Sequence, residues 1–376
     1  MADPAPASPN PPPHLATEAR WGEWRQQLSN RIRTIEELRE WIDITPAEVE
    51  AIERCRGRYR WSITQYYASL MDRHDENCPI RLQAVPSPGE FVEYLGAEID
   101  PVGDMVYRKT NRVIHKYPDR VALLVTSVCP VYCRHCTRKY HTTNVDGTYF
   151  EEREGASFEP DVQYIADHPE IRDVLLTGGD PLMYTDQKLE ALLRALRDIP
   201  HVEILRIGSR FPVFMPARIT PELCRMLESL HPVWLNTQFN HPKEVTPEAA
   251  AACDMLLRHG IPVQNQSVLL KGVNDDAGTM RDLVQALLRI RVRPYYLYHC
   301  DNVSGVSHFM TSLEEEREIM EQLLGFTTGF SVPQYVLTTD YGKIPVSRQV
   351  VHRDEDGNVW VENYKKQKKN LGLILR

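Results

Sequence analysis

From about residue 107 the chain alternates short apolar runs with amphipathic stretches. The runs at residues 121–126, 173–177, 203–208, 233–239, 263–269 and 294–299 read as strands. Between them stand helix openings such as Thr220-Pro221-Glu222 and Thr246-Pro247-Glu248. The second of these helices ends at Arg258-His259-Gly260, where basic residues and a glycine suit a C-terminus. Strands returning roughly every 30 residues with helices between predict βα units around a parallel sheet. Six such units form an open or partial barrel, whose chemistry gathers at the C-terminal strand ends.

The flanks follow other patterns. Residues 1–15 hold six prolines and few apolar groups, so a disordered tail is expected. In the helical region, residues 16–106, Trp21, Trp24, Leu28, Ile32, Ile35 and Leu38 recur at roughly helical spacing, and the tryptophans read as core. Thr45-Pro46-Ala47-Glu48 combines a hydroxyl cap, a first-turn proline and a capping-box glutamate. The barrel region takes residues 107–330 and a C-terminal segment residues 331–376. In that segment a short apolar run leads to Asp340-Tyr341-Gly342-Lys343-Ile344-Pro345, and Asp356-Gly357-Asn358 centres a hairpin. Lys365, Lys366, Lys368 and Lys369 read as a solvated tail.

Composition narrows the class without naming the chemistry. The 376 residues are 42% apolar and 26% charged, as in ordinary globular proteins. A net charge of −8 and a pI near 5.9 argue against general nucleic-acid binding. No apolar run is long enough to span a bilayer, and residues 1–20 lack the apolar stretch of a secretory signal. Eight cysteines with three clustered suit a reducing cytoplasm better than a disulfide framework.

The chemistry starts at the end of the first strand. Cys129, Cys133 and Cys136 stand in the run Cys-Pro-Val-Tyr-Cys-Arg-His-Cys. Three thiolates can hold three irons of a four-iron cluster and leave the fourth open to an exchangeable ligand. The alternative is a zinc site with His135 or His141 as fourth ligand, although no second Cys/His pair accompanies it. One strand later comes Thr177-Gly178-Gly179-Asp180-Pro181-Leu182. The two glycines allow either close backbone approach to a ligand or simply a tight turn.

The CxxxCxxC spacing resembles the signature of radical S-adenosylmethionine (SAM) enzymes, and Gly178-Gly179-Asp180 resembles the segment that contacts the amino group of SAM. Tyr117-Pro118-Asp119-Arg120, the run from Cys129 to Arg138, Arg206-Ile207-Gly208-Ser209-Arg210 and His231 to Thr237 look like the lysine 2,3-aminomutases, as do Asn265 to Asp275 and Arg291 to Tyr296. The likeness covers residues 21–364. It implies a partial (β/α)6 radical SAM barrel with an N-terminal helical region and a C-terminal extension carrying a lysine for pyridoxal phosphate (PLP). It also implies a 4Fe-4S cluster, SAM and PLP as cofactors, an electron donor such as flavodoxin or ferredoxin, and a free amino acid as substrate. In this family an adenosyl radical removes a β-hydrogen, and the PLP-bound nitrogen migrates from Cα to Cβ.

Carried residue by residue, the resemblance makes Lys343 the PLP lysine. Arg120 and Lys116 become basic groups around PLP, Lys116 standing where arginine is expected. Arg138 becomes the partner of the substrate carboxylate, and Gln266 a neighbour of SAM. Gln238 occupies a place where the family has histidine, which leaves the second SAM contact open. Asp301 matches the first of two aspartates that bind the distal ammonium of lysine. The second is missing: Thr338 or Thr339 falls in its place, with Asp340 as a shifted substitute. A retained Asp301 favours a cationic side chain, lysine first, with arginine, ornithine or a neutral polar amino acid behind. A protein-bound lysine as substrate, and a radical SAM/PLP enzyme that epimerises or deaminates, are the other readings. The family's C-terminal zinc-binding cysteines have no counterpart, so no structural zinc is expected and the oligomeric state, a homo-oligomer included, stays open.

Overall fold

A computed structural model of the chain describes residues 24–143, 157–347, 351–356, 358–363 and 365–371. The proline-rich tail, Trp21 and Gly357 lie outside the described residues.

Nine strands form one sheet in sequence order: β1 (Val113–Tyr117), β2 (Arg120–Thr126), β3 (Asp173–Gly178), β4 (Ile204–Gly208), β5 (Val233–Thr237), β6 (Val263–Val268), β7 (Arg293–Tyr298), β8 (Gln334–Thr339) and β9 (Gly342–Pro345). Strands β2 to β8 run parallel, each beside its sequence neighbour, and β1 and β9 join antiparallel at the two edges. The six strands expected from the apolar runs are β2 to β7. Helices Asp186–Arg197, Pro221–Glu228, Pro247–Arg258 and Ala277–Arg289 form crossovers. Thr185, Thr220 and Thr246 cap three of them by accepting a backbone N–H from the third residue on. Gly260 follows the third helix at φ +71°.

The segment after Pro333 continues the sheet. Helix Leu313–Leu323 is a further crossover, and β8 buries Tyr335 and Val336. Tyr335 donates to the buried carboxylate of Glu316 on that helix, which ties strand to crossover. At the seam between the sheet's edges side chains replace a ladder. The Tyr117 hydroxyl on β1 accepts from the Lys343 amide on β9 (2.9 Å), and the Lys116 ammonium donates to the Thr339 carbonyl. Lys343 therefore sits where the two ends of the barrel wall meet.

Two sequence expectations need correction. The apolar positions from Trp24 to Leu38 do not form one helix. Helix Trp24–Ser29 ends, Ile32 bridges to Ile63, and a Thr34/Glu37 capping box starts a new helix at Ile35. The basic end is also no loose tail. Lys368–Asn370 forms β12, which pairs with β11 (Val359–Glu362), itself paired with β10 (Val351–Arg353). Exposed lysines are what an edge strand tolerates. The capping box at Thr45/Glu48 forms as expected. Buried Ile32, Leu38, Ile42, Ile63 and Tyr67 share one core with the barrel strands and helices. Among the described residues no helix is long and apolar enough to cross a membrane.

Candidate active site

The cysteine loop leaves the C-terminal end of β2 and is pinned from several sides. Arg31 donates to the Cys129 carbonyl (2.7 Å), Ser62 to the Pro130 carbonyl (3.2 Å), and the Arg134 amide to the Gln83 carbonyl (2.9 Å). Between the second and third cysteines, Arg134 inserts a fully buried guanidinium that donates from Nε and Nη2 to Glu90. Lys139 donates to the same carboxylate (2.6 Å). Burial opposes ionisation of Glu90, but the two cations win and hold its carboxyl at about 2. A buried ion triad thus fixes the loop before any cofactor arrives.

The thiols themselves are unpaired and half-buried. Burial raises Cys129 and Cys136, and neighbouring thiols add to the effect, so a cationic cluster is what would stabilise them as thiolates. Both candidate fourth zinc ligands use Nε2 in contacts within the protein. His135 Nε2 accepts from the Gln238 and Asn240 amides at 3.2 and 3.3 Å, and His141 Nε2 lies 3.0 Å from the Thr126 carbonyl. Among the described residues no three Cys, His, Asp or Glu converge as a single ion requires. Three thiols on one loop fit a four-iron cluster with one open iron, the position that SAM would take.

The glycines after β3 have a reason the sequence did not show. Gly178 has φ +115°, and a Cβ there would lie 2.6 Å from the Thr126 carbonyl oxygen. A Cβ at Gly179 would meet the Val128 backbone at 2.4 Å. They let the turn seat against the start of the cysteine loop, with the Gly179 and Asp180 amides donating to Thr126 and Val128. Asp180 faces inward and accepts from the Leu182 amide, the Ser209 hydroxyl and the Arg210 amide. Despite those bonds burial lifts its carboxyl to about 6. Its contacts tie the turn after β3 to the end of β4.

Gln238 is likewise engaged inside the protein. Its side chain meets His135, and its carbonyl accepts from Arg210 Nε (2.9 Å). Gln266 is half-buried on β6, 3.4 Å from the Tyr298 hydroxyl. Arg210 was quoted in a motif but given no role by sequence reasoning. Its Nη1 donates to Cys133 Sγ at 3.0 Å while Nη2 pairs with Glu244, also at 3.0 Å.

The second centre surrounds Lys343. Its ammonium lies 4.8 Å from the Tyr296 ring centroid and 5.2 Å from that of Tyr298. Burial of this ammonium, with Arg206, Arg120 and Arg138 nearby, pushes Lys343 down to about 7, and Asp301 only partly offsets them. Although the residue as a whole is exposed, the protein around its ammonium disfavours the charge. Arg120 stacks on Tyr117 and pairs with Asp119. Lys116 is lowered by burial and donates to the Val102 carbonyl. A partly neutral lysine near three guanidinium groups, each paired with an aspartate, and beside aromatic rings fits PLP, which brings an aldehyde, a flat ring and a phosphate. Arg206 was also missed as a site residue. It alternates on β4 with buried Leu205 and Ile207, a pattern that turns its charge to the barrel's other face.

Arg138 and Asp301 both act on the Lys343 ammonium. Arg138 is held by Asp104 through Nε (2.7 Å), which keeps it charged against burial and leaves Nη1 and Nη2 without partners among the described residues. Asp104 carried no sequence signal of its own. Asp301 follows β7 and accepts from Thr137 (2.7 Å), the residue between Cys136 and Arg138. Burial raises its carboxyl to about 6 against the pull of Thr137, His299 and Arg138. Thr338 pairs with Lys343 across the β8–β9 hairpin and so shares its face. Asp340 does not join Asp301: it is exposed at the turn, packs near Gly103 and acts on Lys116.

Residues 123–284 match the model of the radical SAM superfamily. The L-lysine 2,3-aminomutase of Fusobacterium nucleatum is 45% identical over 350 residues, 93% of this chain and 81% of the relative. That of Acetoanaerobium sticklandii is 46% identical over 93% of this chain and 84% of its own. The glutamate 2,3-aminomutase of Clostridioides difficile is 42% identical over 87% and 76%. With its cysteine loop, lysine seam and near full-length similarity, the chain belongs to the radical SAM amino-acid 2,3-aminomutases of the lysine 2,3-aminomutase family.

Proposed function

We propose that this isomerase acts on a free, cationic L-amino acid, lysine first, and moves its α-amino group to the β carbon. The observation that carries the substrate choice is Asp301. Its half-buried carboxylate lies within electrostatic reach of Arg138 and Lys343 and forms no ion pair among the described residues, so a ligand bringing a distal ammonium would compensate it. A distal carboxylate, as in glutamate, would meet repulsion instead.

Cys129, Cys133 and Cys136 would hold the cluster, and Lys343 would hold PLP. When bound, the cluster, SAM and PLP supply the radical that removes a β-hydrogen and the conjugated ring that steadies the migrating amine. Arg138 offers Nη1 and Nη2 to the substrate α-carboxylate, while Asp104 fixes the guanidinium plane from the other edge. Asp301 accepts the distal ammonium, with Thr137 orienting the carboxylate. Near neutral pH Lys343 Nζ is partly unprotonated, so it can attach the cofactor, yield to the substrate amine and take a proton as it leaves. Arg206, Arg120 and Lys116 supply positive charge for a phosphate and phenolate. Tyr296 and Tyr298 wall the cavity and keep water from it.

The reducing electron would come from a small carrier protein such as flavodoxin or ferredoxin. Eight unpaired cysteines support a reducing, cytoplasmic setting. The test is anaerobic reconstitution with iron, sulfide and PLP, followed by SAM, dithionite and separate incubations with lysine, arginine, ornithine and glutamate. Lysine should give β-lysine of unchanged mass. Conversion of glutamate in preference to lysine would overturn the role given to Asp301, and 5′-deoxyadenosine without any β-amino acid would overturn the reaction.

A further inference from the structure

A recess of about 290 Å³, which reaches the cysteine loop at Tyr132, has a lining that includes Arg31, Arg33, Arg56, Arg60 and Trp61, and no acidic residue. In a chain of net charge −8 this is a local reversal of sign. Arg33 and Arg56 are exposed, and of their two side chains only that of Arg56 meets an acid among the described residues, Glu53 at 3.1 Å. Arg58, exposed and over the Tyr59 ring, adds a further charge at the rim.

The recess is joined directly to the cysteine loop. Arg31 donates to the Cys129 carbonyl at 2.7 Å, Arg60 to the Ser127 hydroxyl at 3.2 Å, and the Tyr132 amide to the Ser62 carbonyl at 3.3 Å. Tyr132 belongs both to the loop and to the recess. The first cysteine is therefore linked through one hydrogen bond to a guanidinium of the basic wall. The PLP lysine and the substrate groups belong to other strand ends.

We infer that this recess is the docking surface for an acidic one-electron carrier protein. The inference rests on the reading of Cys129, Cys133 and Cys136 as cluster ligands. One electron leaves the carrier, which is oxidised by one, and enters the cluster, which is reduced by one; no bond is made or broken in the step. Clustered arginines on a small area steer an oppositely charged partner and orient it, while a modest contact lets the carrier leave after each transfer. Arginine suits this surface because it stays charged and pairs with carboxylates in two-point fashion.

The experiment uses the full-length reconstituted enzyme and flavodoxin hydroquinone as probe. Cluster reduction is followed by stopped-flow absorbance and freeze-quench EPR, neither of which requires aminomutase turnover. In the double variant R33E/R56E the rate of reduction by flavodoxin at low ionic strength should fall on the order of ten-fold or more. Reduction by dithionite should stay unchanged. Added salt should slow the wild type with flavodoxin and leave the variant almost unaffected. An equal loss with both reductants would mean that the arginines only hold the loop, and would overturn the inference. So would undiminished reduction by flavodoxin, and so would a change of oligomeric state with unaltered reduction, which would make the recess a contact between copies of the chain. If the wild type reduces normally but makes no β-amino acid, the proposed function fails while the docking result still stands.

Discussion

Replacing Asp301 by asparagine should weaken catalysis and strengthen the substrate-free fold. Burial lifts this carboxyl from 3.8 to about 6, so the folded chain holds its proton through a pH range in which the unfolded chain releases it. Stability from this group is complete below pH 3.8, falls between there and about 6, and is lowest above that. At roughly 1.4 kcal/mol per pH unit the cost near neutrality is about 3 kcal/mol at most. The amide introduced by D301N would keep a partner for the Thr137 hydroxyl and avoid that cost. The variant should therefore raise the unfolding midpoint at about pH 7.5 but not at about pH 4. The substrate would lose a buried charge pair, which is worth about 2–5 kcal/mol when one partner is removed. That corresponds to a fall in kcat/KM for lysine of roughly 30-fold to several thousand-fold. Chemical denaturation of the substrate-free protein and initial rates with lysine measure the two arms. A variant that is less stable near neutral pH, or that keeps kcat/KM within a few-fold, would refute the role assigned to Asp301.

Three other changes probe the rest of the site. Because Lys343 titrates near 7, the rate of PLP uptake by the cofactor-free protein should rise through pH 7 and level off by about 8, and a rise continuing toward about pH 10 would contradict the depressed amine. R210Q removes a positive donor from Cys133 Sγ and should make the cluster potential more negative, at roughly 60 mV for each 1.4 kcal/mol lost. R210K should shift it less, and EPR-monitored titration with an unchanged potential would remove Arg210 from that role. G179A forces a Cβ against the Val128 backbone, which cannot give way as a side chain would. Iron content after reconstitution should therefore collapse, and full iron loading would refute the tight seating of that turn against the cysteine loop.

Much of this was legible in the sequence because it is carried locally. Apolar runs mark β2 to β7, and threonine–proline openings mark two of the crossover helices, since both depend on neighbours in the chain. The cysteine spacing and Lys343 were visible as motifs. What escaped depends on contacts between distant segments. Asp104 gains its meaning only from Arg138, and Arg210 only from Cys133 and Glu244. The glycines at 178 and 179 read as either a ligand approach or a tight turn, and the backbone of residues 126–128 that a side chain would strike is distant in sequence. The final parallel strand was hidden because only its contacts with β7 and Glu316 distinguish it from a short apolar run. Asp340 looked able to replace the missing aspartate by proximity in sequence, but the two-residue turn between β8 and β9 carries it away from Asp301.

The most direct measurement is the position of nitrogen in the product. Reconstituted enzyme should be incubated anaerobically with SAM, dithionite and lysine labelled with ¹⁵N at the α-amine, and the product examined by mass spectrometry and ¹³C–¹⁵N NMR. Migration requires a product of unchanged mass in which the label is bonded to Cβ. A label still on Cα, or a product that has lost ammonia, would contradict it.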